Sequence, residues 1–188
     1  MLVKLAVLFS GNGSNLENIL EKLHQKSIGA NSYEVVLCLC NKKDALGIKR
    51  AEKYGLKSVI VEHKNFATRE DFDRVLVEEI QKSGADLTIL AGFMRILSPV
   101  FTKNIKAINL HPSLLPLFKG AKAIKESYES DMQVAGVSVH WVSEELDGGK
   151  IIAQKAFEKK KLSFEEFEEK IHSLEYEILP LSVIEIFS

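Results

Sequence analysis

The chain has 188 residues, of which 46% are hydrophobic and 27% charged, the composition of a folded domain rather than of a disordered or fibrous chain. Lys and Arg number 25 against 26 Asp and Glu, and the net charge of −1 argues against a general nucleic-acid binder while leaving room for a local anion site. The longest apolar runs are far too short to cross a bilayer, so no membrane partner is expected.

Met1–Leu5 shows no basic leader followed by an apolar stretch and a small-residue cleavage site, so the expected location is cytoplasmic. Cys38 and Cys40 lie two apart in an apolar run. They read as small buried hydrophobes in a reducing compartment, since two thiols make neither a disulfide framework nor a zinc site. No other cluster has metal-ligand spacing, and no metal is expected.

Val3–Phe9 is apolar almost throughout and reads as a buried strand. Ser10–Gly13 follows as a turn. Leu16, Ile19, Leu20 and Leu23 then form the stripe of an amphipathic helix, with Ser14 and Glu17 spaced as a capping box. Val35–Cys40 reads as a second strand, Ala45–Tyr54 as a helix and Ser58–Val61 as a short strand. Thr68 opens a helix with stripe Phe72, Val75, Leu76 and Ile80. Leu87–Ala91 is a further buried strand, Ser98–Lys103 a helical turn and Ala107–Leu110 a short strand. Gly136–Val142 and Ile151–Phe157 are two strands with a short polar turn between them. Ser163 caps a last helix that faces the core through Phe164, Phe167, Ile171, Leu174 and Ile178.

Buried strands alternating with helices imply right-handed crossovers. The expected fold is α/β, a Rossmann-like, mostly parallel sheet with helices on both faces and an antiparallel C-terminal extension. No linker or repeat divides the chain, so residues 1–188 are expected to form a single domain. Ligands of such sheets bind outside the carboxyl ends of the strands, which directs attention to the loops after Phe9, Ala91, Leu110 and Val142.

In the first of these loops, Ser10–Asn15, two glycines let backbone N–H groups approach a ligand, and the helix start adds free donors and a positive dipole end. Leu16 stands where a dinucleotide fingerprint needs its third glycine. Asn41-Lys42-Lys43 stands where an acidic residue would bind ribose, and no Gly-Lys-Ser/Thr follows. A monophosphate or similar small anion fits best.

Asn109 and His111 alternate near a strand end and share a face, and Pro112 holds His111 extended. Such a pair can donate to a developing oxyanion and exchange a proton, or it can be a core histidine bonded to a backbone carbonyl; both readings fit. Asp147 precedes Gly148-Gly149 in what is by itself a hairpin turn. Folded over the strand ends, it would reach His111 and hold the imidazole protonated. Ala91–Pro99 is an apolar loop with one arginine, suited equally to a flat aromatic ligand or to core packing.

Together, Ser10–Leu16 (SGNGSNL), Ala91–Pro99 (AGFMRILSP), Asn109–Pro116 (NLHPSLLP) and Glu145–Gly149 (ELDGG) resemble the phosphoribosylglycinamide formyltransferase family over nearly the whole chain. The resemblance implies the formyltransferase fold. It also implies transfer of a formyl group from 10-formyltetrahydrofolate to the amine of glycinamide ribonucleotide in purine biosynthesis. Carried onto this sequence, it assigns Asn109, His111 and Asp147 to catalysis. Gly13, Ser14, Asn15 and Glu175 would bind the ribonucleotide. Arg69, Met94, Arg95, Ile96, Leu97, Asn109, Ser143, Glu144, Glu145 and Leu146 would bind the folate co-substrate. The partners implied are these two small molecules, without metal or nucleic acid, and a monomer or weak homodimer. The chain departs from the family pattern at Phe118–Ile124 and at Tyr176, where histidines are common.

A formyltetrahydrofolate hydrolase shares much of this pocket but has no need of the phosphate loop. A methionyl-tRNA formyltransferase would want a basic surface. A Rossmann-type binding module would not require Asp147 to meet His111. His24, His63, His140 and His172 are scattered; His140, in the strand leading to the Asp147 turn, fits a place near the site or a structural role, the latter preferred, and Lys159–Lys161 reads as a solvated turn.

Overall fold

The computed structural model describes residues 1–188. In chain order the elements are β1 (Leu2–Phe9), α1 (Ser14–Leu23), β2 (Lys26–Ile28), β3 (Asn31–Cys40), α2 (Leu46–Glu52) and β4 (Ser58–Ile60). They continue with α3 (Arg69–Ser83), β5 (Leu87–Leu90), α4 (Pro99–Thr102), β6 (Ala107–His111), α5 (Ala123–Glu129), β7 (Val134–Trp141), β8 (Ile151–Glu158) and α6 (Phe164–Ile186). One eight-stranded sheet runs in the order β2-β3-β1-β5-β6-β7-β8, with β4 beside β3. Strands β1, β3, β4, β5 and β6 are parallel, while β7 and β8 extend the sheet antiparallel.

Both faces of β1 are buried, which is why it lacks alternation. Val3, Leu5, Val7 and Phe9 join the larger core with α1 and α6, and Ala6 and Leu8 join the smaller core with α3. Phe72, Leu76 and Ile80 seal that second face as their spacing predicts, and Val75 packs at its edge. Cys38 and Cys40 are buried and unpaired, and burial pushes the Cys38 thiol up to about 12.

Several boundaries differ from the sequence reading. Helix α1 has no capping box at Ser14. Its N-cap is Gly13, in the left-handed region at φ 73°, with no side-chain cap. Strand β2 was not apparent from its residues; it forms a hairpin with β3 through Gly29, which supplies a φ of 61°. Helix α5, also unforeseen, is short and closed at its C-terminus by Lys159, whose Nζ donates to the carbonyls of Ser127 and Ser130 at 2.7 Å each. Lys159 is therefore a cap rather than part of a solvated turn.

Helix α6 has its expected capping box, made by Ser163 and Glu166, but it runs on through Pro180 to Ile186. Pro180 has no N–H to give the carbonyl four residues back, at Tyr176. Asn18 Nδ2 and Lys22 Nζ of α1 donate to that carbonyl instead, each at 2.9 Å. The proline thus turns an internal helix bond into a joint between the first and last helices.

Candidate active site

The alternation along β6 and β7 sorts core from site. Ile108 and Leu110 of β6 and Val137 and Val139 of β7 enter the larger core. Asn109, His111, Ser138 and His140 therefore lie on the opposite face. Antiparallel register then pairs Asn109 with His140 and His111 with Ser138. The result is a polar strip across two central strands.

Asp147 completes it, by a route the sequence reading had wrong. Because β7 runs antiparallel, the loop after Val142 leaves at the amino end of β6, not among the carboxyl ends of the parallel strands. The loop is nine residues long and folds back over the sheet face. Asp147, at φ 50° and 9% exposed, thereby reaches the strip. Its Oδ2 lies 3.5 Å from His111 Nδ1 and accepts the Gly120 N–H at 2.8 Å. Its Oδ1 accepts from Asn109 Nδ2 at 3.4 Å and lies 3.7 Å from His140 Nε2. Burial alone would raise the Asp147 carboxyl. The His140 hydrogen bond, the Gly120 N–H and the charges of both histidines outweigh burial and hold it below the usual aspartate range.

The partners fix the tautomers. His111 Nε2 faces the Phe118 carbonyl at 2.8 Å, so that nitrogen carries a proton and donates. His140 Nδ1 donates to the Trp141 carbonyl at 2.9 Å, and its Nε2 sits between Asn109 Nδ2 at 3.2 Å and Asp147 Oδ1 at 3.7 Å, accepting from the amide when the ring is neutral and turning to the carboxylate when it is protonated. His140 thus sits among the trio, near the Asp147 turn as its strand suggests, rather than in the purely structural place preferred from sequence. Only the strand register reveals it.

The loop after β1 forms the second part of the site. With glycine as the N-cap, the first-turn N–H groups of α1 have no side-chain acceptor and stay free for an anion. The cleft there has a volume of about 200 Å³, lined by Ser10–Asn15 with Lys42, Ala91, Gly92 and Met94. A larger polar cleft of about 410 Å³ adjoins it across Ser10, Gly11 and Lys42. Arg50 braces the loop by donating to the Asn12 carbonyl at 2.8 Å and pairing with Glu17. A side chain on Gly13 would collide with the backbone of Gly47, so two glycines meet where α2 crosses the loop.

Glu175, on α6, is 6% exposed and joins this loop from the far end of the chain. Its Oε2 accepts from Asn15 Nδ2 at 3.2 Å and from His172 Nδ1 at 2.8 Å. Gly13, Ser14, Asn15 and Glu175 are therefore one cluster, as expected, and His172 belongs to it as well.

The loop after β5 is pinned at both ends. Met94 N–H donates to Ser10 Oγ at 2.8 Å, and Ser98 N–H donates to the buried Asp73 of α3. Burial pushes the Asp73 carboxyl up, against the Ser98 hydrogen bonds and the charge of nearby Arg69. Arg69 itself is exposed at the start of α3. Between the pins, Met94 (67% exposed) and Ile96 (52%) project from the core, and Leu146 (47%) does the same beside Asp147. Arg95 and Leu97 are half-buried. Glu144 and Glu145 pair with Lys103 and Lys119, and Ser143 Oγ donates to the Glu145 carbonyl at 3.1 Å. Of the expected folate residues, Met94–Leu97 and Ser143–Leu146 thus lie on two loops with exposed apolar tips, Arg69 lies at the start of α3 and Asn109 on β6.

No group of three or more His, Cys, Asp or Glu side chains has metal-binding geometry, and no helix is long and apolar enough to cross a membrane.

Comparison with known proteins identifies the family to which this fold and these motifs belong. The family model described as formyl transferase matches residues 3–183. The crystal structure of phosphoribosylglycinamide formyltransferase from Campylobacter jejuni subsp. jejuni NCTC 11168 is 84% identical, with a TM-score of 0.99 over 100% of this chain and 99% of that one. Phosphoribosylglycinamide formyltransferase of Bacillus subtilis (strain 168) is 38% identical over 180 residues, 94% of this chain and 91% of that protein. The Gallus gallus trifunctional purine biosynthetic protein adenosine-3 is 42% identical over 156 residues, but the match spans 82% of this chain and only 15% of that larger protein. On its fold, its motifs and these matches, the chain belongs to the formyl transferase family.

Proposed function

We propose that the chain is a phosphoribosylglycinamide formyltransferase, transferring the formyl group of 10-formyltetrahydrofolate to the amine of glycinamide ribonucleotide as a single cytoplasmic domain. The observation that carries this reading is the meeting of Asn109, His111 and Asp147 beside an uncapped helix start suited to a monophosphate. A hydrolase needs the trio but not the anion site, and a binding module does not need Asp147 to meet His111.

The first-turn N–H groups of α1 hold the substrate phosphate, and Glu175 accepts from the ribonucleotide beyond it. The folate lies between the loops 92–98 and 143–146, against Met94, Ile96 and Leu146, with Arg69 and Arg95 taking its carboxylates. A neutral amine is already nucleophilic, so the protein has to align two substrates and stabilise one oxyanion. His111 Nε2–H supplies the main donor. In the structure that proton points at the Phe118 carbonyl, an acceptor oxygen occupying the place the formyl oxygen takes during reaction. Residues 117–120 therefore withdraw from His111 and Asp147 when both substrates bind. Each such donor is worth roughly 2.7–4 kcal/mol in the transition state.

Asn109 works under a constraint. With His140 neutral, both hydrogens of its amide are engaged, one by His140 Nε2 and one by Asp147 Oδ1. It donates to the oxyanion by releasing one of them. As the tetrahedral intermediate collapses, the amine loses a proton and the folate N10 gains one. His111, backed by Asp147, is the group placed to carry it.

Purified protein is assayed for tetrahydrofolate formation from 10-formyltetrahydrofolate with and without glycinamide ribonucleotide, alongside His111→Ala. Turnover that requires the ribonucleotide and collapses in the variant is the expected result. Turnover without the ribonucleotide identifies a hydrolase, and no turnover by folded protein returns the binding-module reading.

A further inference from the structure

Glu175 presents a buried carboxylate, its side chain only 7% exposed, at the edge of the anion cleft. Such a group is costly to hold without donors. The structure supplies two, and both go to the same oxygen, Oε2: Asn15 Nδ2 from α1 and His172 Nδ1 from one turn earlier on α6. The other oxygen, Oε1, has no donor within the chain and is not sealed from solvent. The backbone beside it is fixed independently, because the Tyr176 carbonyl is held by Asn18 and Lys22. What remains free at position 175 is side-chain torsion, and His172 and Asn15 are the groups that set it.

We propose that His172 is a positioning residue for the phosphorylated substrate: it holds Glu175 by Oε2 so that Oε1 stays presented to the ribonucleotide. This rests on the formyltransferase reading above and deepens it at the same site. Asn15 alone is a neutral donor at the longer distance of 3.2 Å and leaves the carboxylate's charge unbalanced. His172 adds the shorter, charge-assisted bond. The carboxylate in turn raises the His172 pKa through that hydrogen bond, so the pair is mutually stabilising. The Tyr176 ring stacks on the imidazole at 6.5 Å between centroids and 20° between planes, which restricts the ring that donates.

The test compares steady-state kinetics of wild type, His172→Ala and His172→Gln, varying each substrate in turn. Removing a hydrogen bond to a charged group at a half-exposed position predicts a KM for glycinamide ribonucleotide raised about tenfold in His172→Ala. The kcat stays within about twofold, and the KM for 10-formyltetrahydrofolate does not move. Gln keeps an N–H donor without the charge and restores the ribonucleotide KM to within about threefold of wild type. An unchanged ribonucleotide KM in His172→Ala overturns the proposal. So does a parallel loss in kcat and both KM values, which marks general disturbance of α6. Wild-type turnover that does not need the ribonucleotide overturns the formyltransferase reading itself, and this inference with it.

Discussion

Replacing Asp147 with Asn is the sharpest perturbation of the trio, because size and shape are kept while charge is lost. In the folded chain Asp147 Oδ2 faces His111 Nδ1 at 3.5 Å, with both side chains under a tenth exposed. At an effective dielectric of about 20, two unit charges at that separation attract by about 5 kcal/mol. An asparagine keeps one neutral hydrogen bond, worth about 1 kcal/mol, so the net loss for an imidazolium is about 4 kcal/mol. The amide also cannot satisfy its surroundings. Donors lie on both sides of Asp147, the Gly120 N–H on one oxygen and Asn109 Nδ2 on the other, so either rotamer sets N–H against N–H. If His111 is cationic in the transition state, kcat falls about 10³-fold. Both KM values stay within a few-fold, since asparagine fills the same volume and the side chains of the anion cleft and of residues 92–98 and 143–146 are unchanged. Single-turnover kinetics of tetrahydrofolate release, with circular dichroism to confirm the fold, measure this. A variant that keeps more than about a tenth of wild-type kcat would refute the assigned role of the carboxylate.

Other consequences follow from the same geometry. Gly13→Ala forces a Cβ onto the Gly47 backbone at a positive φ; thermal unfolding should show a loss of about 3 kcal/mol, near 9 °C for a chain this long, along with weakened phosphate protection. Asn18→Ala should lower Tm by about 3 °C, and adding Lys22→Ala should cost more than the sum of the single changes, because the Tyr176 carbonyl then has no donor. Simple additivity would show that the carbonyl finds another partner. The pH dependence has two parts. Asp147 is lowered on folding, so its contribution is present above the unfolded aspartate value, about 3.9, and disappears as pH falls through the lower folded value; Asp147→Asn should flatten that acid limb of the stability curve. His172 is raised, so its contribution is complete below about pH 6.5 and is lost as pH rises through the folded value. The Tm gap between wild type and His172→Gln should therefore close on the alkaline side.

The face each side chain takes was legible in the sequence, and the register between strands was not. Alternation in Ala107–His111 shows that Asn109 and His111 share a face. Nothing local shows that His140 lies opposite Asn109, because that depends on how β7 slides against β6. The same limit applied to Asp147. Its loop reads as a short hairpin turn and proves to be a nine-residue fold-back, since β7 is antiparallel. The Ser14 capping box failed for a structural reason: the helix starts one residue earlier, with Gly13 as its N-cap, and the Glu17 carboxylate is drawn to Arg50 and Lys53 instead. His172 was the one miss with a readable signal. It stands three residues before Glu175 on a strong helical stripe, which places both on one side of α6.

The joint at Tyr176 bears on how the molecule is made. Asn15 and Glu175 are 160 residues apart in sequence, yet they share a hydrogen bond at the mouth of the anion cleft. A chain emerging from the ribosome displays the glycine loop within its first tenth and the trio by β8. Glu175 reaches this loop only when α6 docks and Asn18 and Lys22 engage the carbonyl that Pro180 left free. Domains fold as units while they are synthesised. Here full substrate affinity should therefore switch on late and in a single step, when α6 docks against α1. Chains truncated before α6 would carry Asn109, His111 and Asp147 without Glu175.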